Sequence, residues 1–193
     1  MVRTRTVWPI VAHVGVGPVV LGVNEGALLD LLGAPSARRP RSSISGIEFP
    51  EGLFFFDNAL QVSFDESGRV DFVGAASHMT IDVRYDDVPV FDVDADELAA
   101  YIAVDARVDE EDREFPTNWT FPNLELSLYR GCHPSDIPDS ERGDDPSGLF
   151  WEQISVAKRG YFSKGKSLPA PDPQARPERP RCRRARDRSK PTR

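Results

Sequence analysis

Two places in this chain set chemistry-bearing residues close together. Cys132-His133 with Asp136 offers a thiol, an imidazole and a carboxylate in one short stretch. A thiol nucleophile needs a base that faces it and a setting that lowers its pKa. Adjacent loop residues point apart and no helix N-terminus is evident at Cys132, so we expect a free thiol in a polar loop rather than a catalytic pair. Asp92-Val93-Asp94-Ala95-Asp96 has the alternating acids that open a calcium loop. Such a loop requires Gly at its sixth position and Glu at its twelfth, where this chain has Glu97 and Ala103. These acids read instead as helix N-terminal charges favoured by the dipole. His13 and His78 lack metal-ligand spacing. Asp86-Asp87 and Asp109 to Asp112 read as solvated loops. There is no phosphate loop, dinucleotide fingerprint or Gly-x-Ser-x-Gly elbow. No catalytic residue, metal or cofactor is expected, and an enzyme whose site forms only in three dimensions is the alternative.

A binding surface emerges more readily from the residue pattern. Leu60, Val62 and Phe64 alternate with Gln61 and Ser63, the period of a strand with one wet face. Read the same way, Glu125, Ser127, Tyr129, Trp151 and Gln153 stand on the outward side of later strands. Polar side chains with embedded Tyr and Trp suit a protein interface. The expected partner-binding set is therefore Gln61, Ser63, Glu125, Ser127, Tyr129, Trp151 and Gln153. Trp119 could serve the core or the surface.

The elements that must position this face are short. Gly17 to Leu21 reads as a strand, with residues 1–16 leading in. Asn24 can cap a helix carrying Ala27, Leu28, Leu31 and Leu32, stopped by Gly33 and Pro35. Residues 36–50 read as a loop. Leu53–Phe56, Leu60–Phe64 and Arg69–Val73 form a meander whose first turn is Asp57-Asn58. Ile81, Val83 and Tyr85 alternate with Asp82 and Arg84, and Val88 to Phe91 is a further strand. Asp94 and Glu97 start a second helix as a capping-box pair, with Leu98, Tyr101 and Ile102 on its apolar face. Asn118–Phe121, Leu124–Tyr129 and Phe150–Ala157 are the last strands. Helix, strand, strand, strand thus occurs twice, and short turns between consecutive strands imply antiparallel pairing. The expected fold is α+β, an antiparallel sheet with short helices packed on one face, in two tandem units. Their bounds are 1–78 and 79–167, followed by a disordered basic tail over 168–193.

Charge divides along the same line. Residues 168–193 hold 9 Lys and Arg against 3 Asp and Glu, whereas residues 1–167 hold 15 basic and 28 acidic side chains. An acidic body repels phosphate backbones and suits a basic partner. The Pro- and Arg-rich tail cannot build a core, and a scaffold whose tail binds polyanions is a further alternative. Two cysteines, one in the tail, argue against a disulfide framework and fit a reducing compartment. Asn118-Trp119-Thr120 has the form of a glycosylation acceptor, which matters only on secretion. Arg3 and Arg5 before the apolar run Val7–Val23 superficially resemble a signal peptide, but Pro9, His13 and Pro18 interrupt it and no small-x-small site follows. We read the run as part of the fold, expect no membrane association and place the protein in the cytoplasm.

The stretch Gly22-Val23-Asn24-Glu25-Gly26-Ala27-Leu28-Leu29-Asp30-Leu31-Leu32-Gly33-Ala34-Pro35 resembles the opening of small domains of the SmpA/BamE type. Two such units in tandem resemble the architecture of beta-lactamase inhibitory protein. The close match covers residues 17–35, and the remainder agrees in the order of elements. The chain departs from both in having no lipobox cysteine and too few cysteines for the inhibitor's two disulfides. What the resemblance implies is the tandem α+β fold, with no functional residue carried over. Compact acidic bodies are also found among bacterial immunity proteins, an analogy without a motif. Together these readings point to a non-enzymatic protein-binding module, an inhibitor or toxin-immunity protein with a basic protein partner.

Overall fold

The computed structural model describes residues 5–44, 47–137 and 148–162. In chain order the elements are β1 (Thr6–Val11), β2 (Gly15–Val16), β3 (Val19–Val20), α1 (Glu25–Leu32), β4 (Ala37–Arg39), β5 (Ser42–Ile44), β6 (Ile47–Phe49), β7 (Gly52–Phe55), β8 (Leu60–Phe64) and β9 (Val70–Ala76). They continue with β10 (Ile81–Tyr85), β11 (Val88–Pro89), α2 (Ala95–Ala103), β12 (Asn118–Phe121), β13 (Leu126–Tyr129), a 3-10 turn at Pro134–Asp136 and β14 (Gln153–Ala157). The fold is α+β, as expected, but with two sheets and a separate β5–β6 hairpin rather than one sheet.

The larger sheet has the strand order β12-β13-β14-β9-β8-β7-β4, antiparallel throughout. It joins two meanders, β7-β8-β9 and β12-β13-β14, through the β9–β14 pair. One helix precedes each meander in the chain. The smaller sheet has the order β11-β10-β1-β2-β3. Both sheets run across residues 78 and 79, because β1 pairs with β10 and β9 with β14.

Three stretches depart from the reading of the sequence. Gly17 to Leu21, expected as one strand, holds the Gly17-Pro18 turn that joins β2 to β3 in an antiparallel pair. Residues 6–11, where the sequence predicts only a lead-in, form the central strand of the smaller sheet, paired in parallel with β10 from Thr6 opposite Ile81 to Ile10 opposite Tyr85. A parallel neighbour is joined by a long crossover and leaves no turn signal beside it. Residues 36–50, where the composition predicts a loop, contain β4 on the edge of the larger sheet and the β5–β6 hairpin. Their Arg, Ser and Pro content is tolerated because edge strands face water on one side.

Period two decides the core. Leu53, Phe55, Leu60, Val62, Val73, Ala75, Leu126, Leu128, Ile154 and Val156 bury one side of the larger sheet, and Trp8, Ile10, Ile81, Val83 and Tyr85 one side of the smaller. These faces, with Leu28 of α1 and Leu98, Ala99 and Ile102 of α2, form one apolar cluster. The strand β2 touches both β9 and β14, so the sheets meet near the seam between the meanders. Burying an aliphatic side chain of this size stabilises by roughly 1.5–3 kcal/mol, which makes this cluster the main cohesive element.

The helices start as their caps dictate. Asn24 Oδ1 accepts the Ala27 N–H at 2.9 Å, and Asp94 Oδ1 accepts those of Asp96 and Glu97. Gly33 ends α1 with φ +80° and donates its N–H to the Leu29 carbonyl. Of the expected α1 stripe only Leu28 is fully buried, and Leu31 is 51% exposed. α2 is held more deeply, with Tyr101 edge-on to Tyr85.

Candidate binding face

The outer face of the larger sheet follows from register. One row crosses all seven strands: Thr120, Ser127, Ser155, Gly74, Gln61, Phe54 and Ala37. A neighbouring row holds Asn118, Tyr129, Gln153 and Ala76, and another holds Ala157, Phe72, Ser63, Gly52 and Arg39. Residues two apart on a strand share a face, so Gln61, Ser63, Ser127, Tyr129 and Gln153 stand together on one side.

They stand at different depths. Tyr129 is 41% exposed, and Gln61 and Gln153 are half-buried. Ser63 and Ser127 are buried, so they form a floor rather than a contact surface. A polar network fixes that floor. Ser127 Oγ donates to Asn118 Oδ1 at 2.7 Å, and Asp112 Oδ2 accepts from Asn118 Nδ2 at 3.1 Å and from Thr120 Oγ1 at 3.2 Å. Asp112 is thus a structural member of the face, where the sequence read a solvated acidic loop. Gln153 lies across Gly74: a Cβ there would meet Gln153 Nε2 at 2.5 Å. Its amide also donates to Ser155 Oγ at 3.0 Å.

Two expected contact residues belong elsewhere. Glu125 is 1% exposed and sits in the β12–β13 turn with φ +48°. Its carboxylate accepts the backbone N–H groups of Gly160 at 2.6 Å and Phe162 at 2.7 Å. The alternation that placed it outward breaks at the turn, where the backbone leaves the pleat. Trp151 is 2% exposed and precedes β14. Its indole N–H donates to the Ala95 carbonyl at 2.7 Å, and Trp119 packs against it edge to face. Arg130, wholly buried, lies 4.9 Å from the Trp151 ring centroid, donates to the Gly148 carbonyl and pairs with Asp96 at 2.9 Å. Trp151 is therefore a buried tie between β14 and α2. Its length and polarity leave either role open in the sequence, and only the packing decides.

The segment after β14 partly covers the outer face. Tyr161 and Phe162 flank Phe72, with ring centroids 5.5 and 6.4 Å away. Burial, with the Asp71 carboxylate adding to it and Arg39 opposing, raises the Tyr161 phenol pKa. The sequence does not announce this aromatic group, because Tyr161 and Phe162 carry no periodic signal of their own.

The histidines and acids considered for chemistry are engaged in hydrogen bonds within the fold. The His133 ring accepts from the Ser135 N–H and the Asp136 carboxylate accepts from the His133 N–H, so both close a capped 3-10 turn. His13 Nε2 meets the Asn123 carbonyl, and His78 Nδ1 meets Thr80. Asp94, in the calcium-like stretch, is the α2 cap. Among the described residues no group of three or more His, Cys, Asp and Glu could hold a metal ion. Among the same residues no helix is long and apolar enough to cross a membrane. The tail proposed for residues 168–193 lies outside the described residues.

No protein-family model matches this chain, and neither a curated protein nor a solved structure matches it.

Proposed function

We propose that this chain is a non-enzymatic protein-binding module, an inhibitor or toxin-immunity protein, that receives a basic protein partner on the outer face of the larger sheet. The observation that carries the reading is the grouping of Gln61, Gln153 and Tyr129 from three different strands on one rigid face. A tyrosine flanked by amides over a fixed hydrogen-bonded floor has the chemistry of an interface anchor, with apolar area and polar handles at low entropic cost. Ser63 and Ser127 support the contact from below, and Glu125 and Trp151 act through the fold. The 28 acidic and 15 basic side chains of residues 1–167 select a basic partner and disfavour nucleic acid on the body.

The same reading takes the two helix-plus-meander segments as tandem copies of one unit, whose joined meanders make a face wider than either could provide. The scarcity of cysteine supports a reducing, cytoplasmic setting. The test is a double introduction of positive charge in the full chain, Gln61→Arg with Gln153→Arg. It should abolish binding of the basic protein that the unaltered chain captures, while Pro9→Arg on the smaller sheet leaves it intact. Equal binding by both variants would reject the face.

A further inference from the structure

A cleft of about 710 Å³ opens between the β5–β6 hairpin, the turn after β8 and the segment after β14. Among the described residues its lining includes the acids Asp65, Glu66 and Asp71, the aromatic rings of Phe49 and Tyr161, and the cation Arg41. Acid beside aromatic is the chemistry that receives a guanidinium, which stacks on a ring while its N–H fork meets a carboxylate. Phe49 already takes the ring half of such a contact: the Arg39 guanidinium carbon lies 5.9 Å from its ring centroid.

The chain itself supplies the matching ligand. Glu125 fixes the exit of the chain by holding the amides of Gly160 and Phe162. Tyr161, between them, forms part of the cleft wall. The sequence that follows carries Lys164 and Lys166, then the Arg-rich residues 176–193. A ligand tethered this close has an effective concentration in the millimolar range, so modest contacts suffice to hold it. The excess of 28 acids over 15 bases in residues 1–167 acts in the same direction. We propose that the basic tail binds its own body in this cleft, with arginine side chains between Phe49, Tyr161 and the acids at Glu66 and Asp71. The inference stands apart from the partner-binding reading, since neither requires the other.

Cys182 lies in the tail and provides a reporter. In the full chain with Cys132→Ser, a nitroxide on Cys182 should remove at least half of the amide signal of Glu66, Ser67 and Asp71 at low salt. Signals of Glu110 and Glu111, in the other acidic loop, should persist. The loss should reverse at about 0.5 M salt, where the Debye length is about 4 Å. It should also reverse in Glu66→Gln with Asp71→Asn and, should that pair unfold the chain, shrink in Glu66→Gln alone. Full cleft signals at low salt would overturn the proposal. So would a loss centred on residues 109–114, or a loss arising only between labelled and isotopically enriched copies.

Discussion

Glu125 holds Gly160: its Oε1 accepts the Gly160 backbone N–H at 2.6 Å, while Oε2 accepts that of Phe162. A buried carboxylate at a positive-φ turn residue thereby anchors the chain after its last strand, and Tyr161 and Phe162 lie over Phe72 as a result. Glu125→Gln keeps the shape but turns one acceptor into a donor facing an N–H. Hydrogen bonds to charged groups contribute about 1.5–3 kcal/mol, so we expect a loss of about that size. Amide hydrogen exchange should show it first at Gly160 and Phe162, with β13 and β14 keeping their protection. Uniform loss across the larger sheet would assign Glu125 to the global core instead.

Arg130 makes a second prediction. Its guanidinium is buried against Trp151, while its counter-ion Asp96 is largely solvated. Arg130→Ala removes the packing and leaves the Gly148 carbonyl without its donor, a cost of about 2–5 kcal/mol by analogy with large core truncations. Arg130→Met restores volume without the charge and should recover part of that loss in a denaturant melt. If Met is no better than Ala, the hydrogen bonds rather than the packing carry the residue's role.

A third concerns acid. Asp65 accepts from Ser67 and from the Arg69 N–H, and pairs with Lys158 at 3.2 Å, which together hold its carboxyl far below the usual range. A carboxyl depressed in the folded state adds stability above its unfolded pKa, about 3.9, and loses it as pH falls through the folded value. Stability should therefore decline below about pH 4, with a shallower decline in Asp65→Asn measured by thermal melts from neutral pH downward. Identical slopes would show that the turn tolerates a neutral side chain.

The glycines give a fourth, built on contrast. A Cβ at Gly15 would lie 2.0 Å from the Val19 carbonyl oxygen, a backbone atom that β2 and β3 hold in place. Gly15→Ala should cost at least about 2 kcal/mol through clash and positive φ together. Gly33 has φ +80° but open space around it, so Gly33→Ala should cost only about 1 kcal/mol of backbone strain. Comparable unfolding midpoints for the two variants would contradict the packing of the β2–β3 hairpin.

Local signals account for what was legible in the sequence. Asn24 and Asp94 announced their helices because a cap is a contact between near neighbours. Leu60, Val62 and Phe64 announced an inner face, and the same alternation set Gln61, Ser63, Ser127, Tyr129 and Gln153 on the outer one. Alternation could not report depth, because the burial of Ser127 depends on Asn118 and Asp112 in another strand and loop. Nor could it place Glu125 and Trp151, which stand just outside the pleated segments where the period no longer applies. The parallel pair of β1 and β10 joins residues 75 positions apart, and no local composition encodes such a partner.

The central claim is that the outer face of the larger sheet receives a basic protein. Its most direct test is site-specific photo-crosslinking in the native lysate, with a photoreactive residue at Gln61 or Gln153 and, as reference, at Pro9 of the smaller sheet. The account predicts one basic protein joined at Gln61 and Gln153 and absent at Pro9. Crosslinks to that protein only from Pro9, or an acidic protein joined at Gln61 and Gln153, would contradict it.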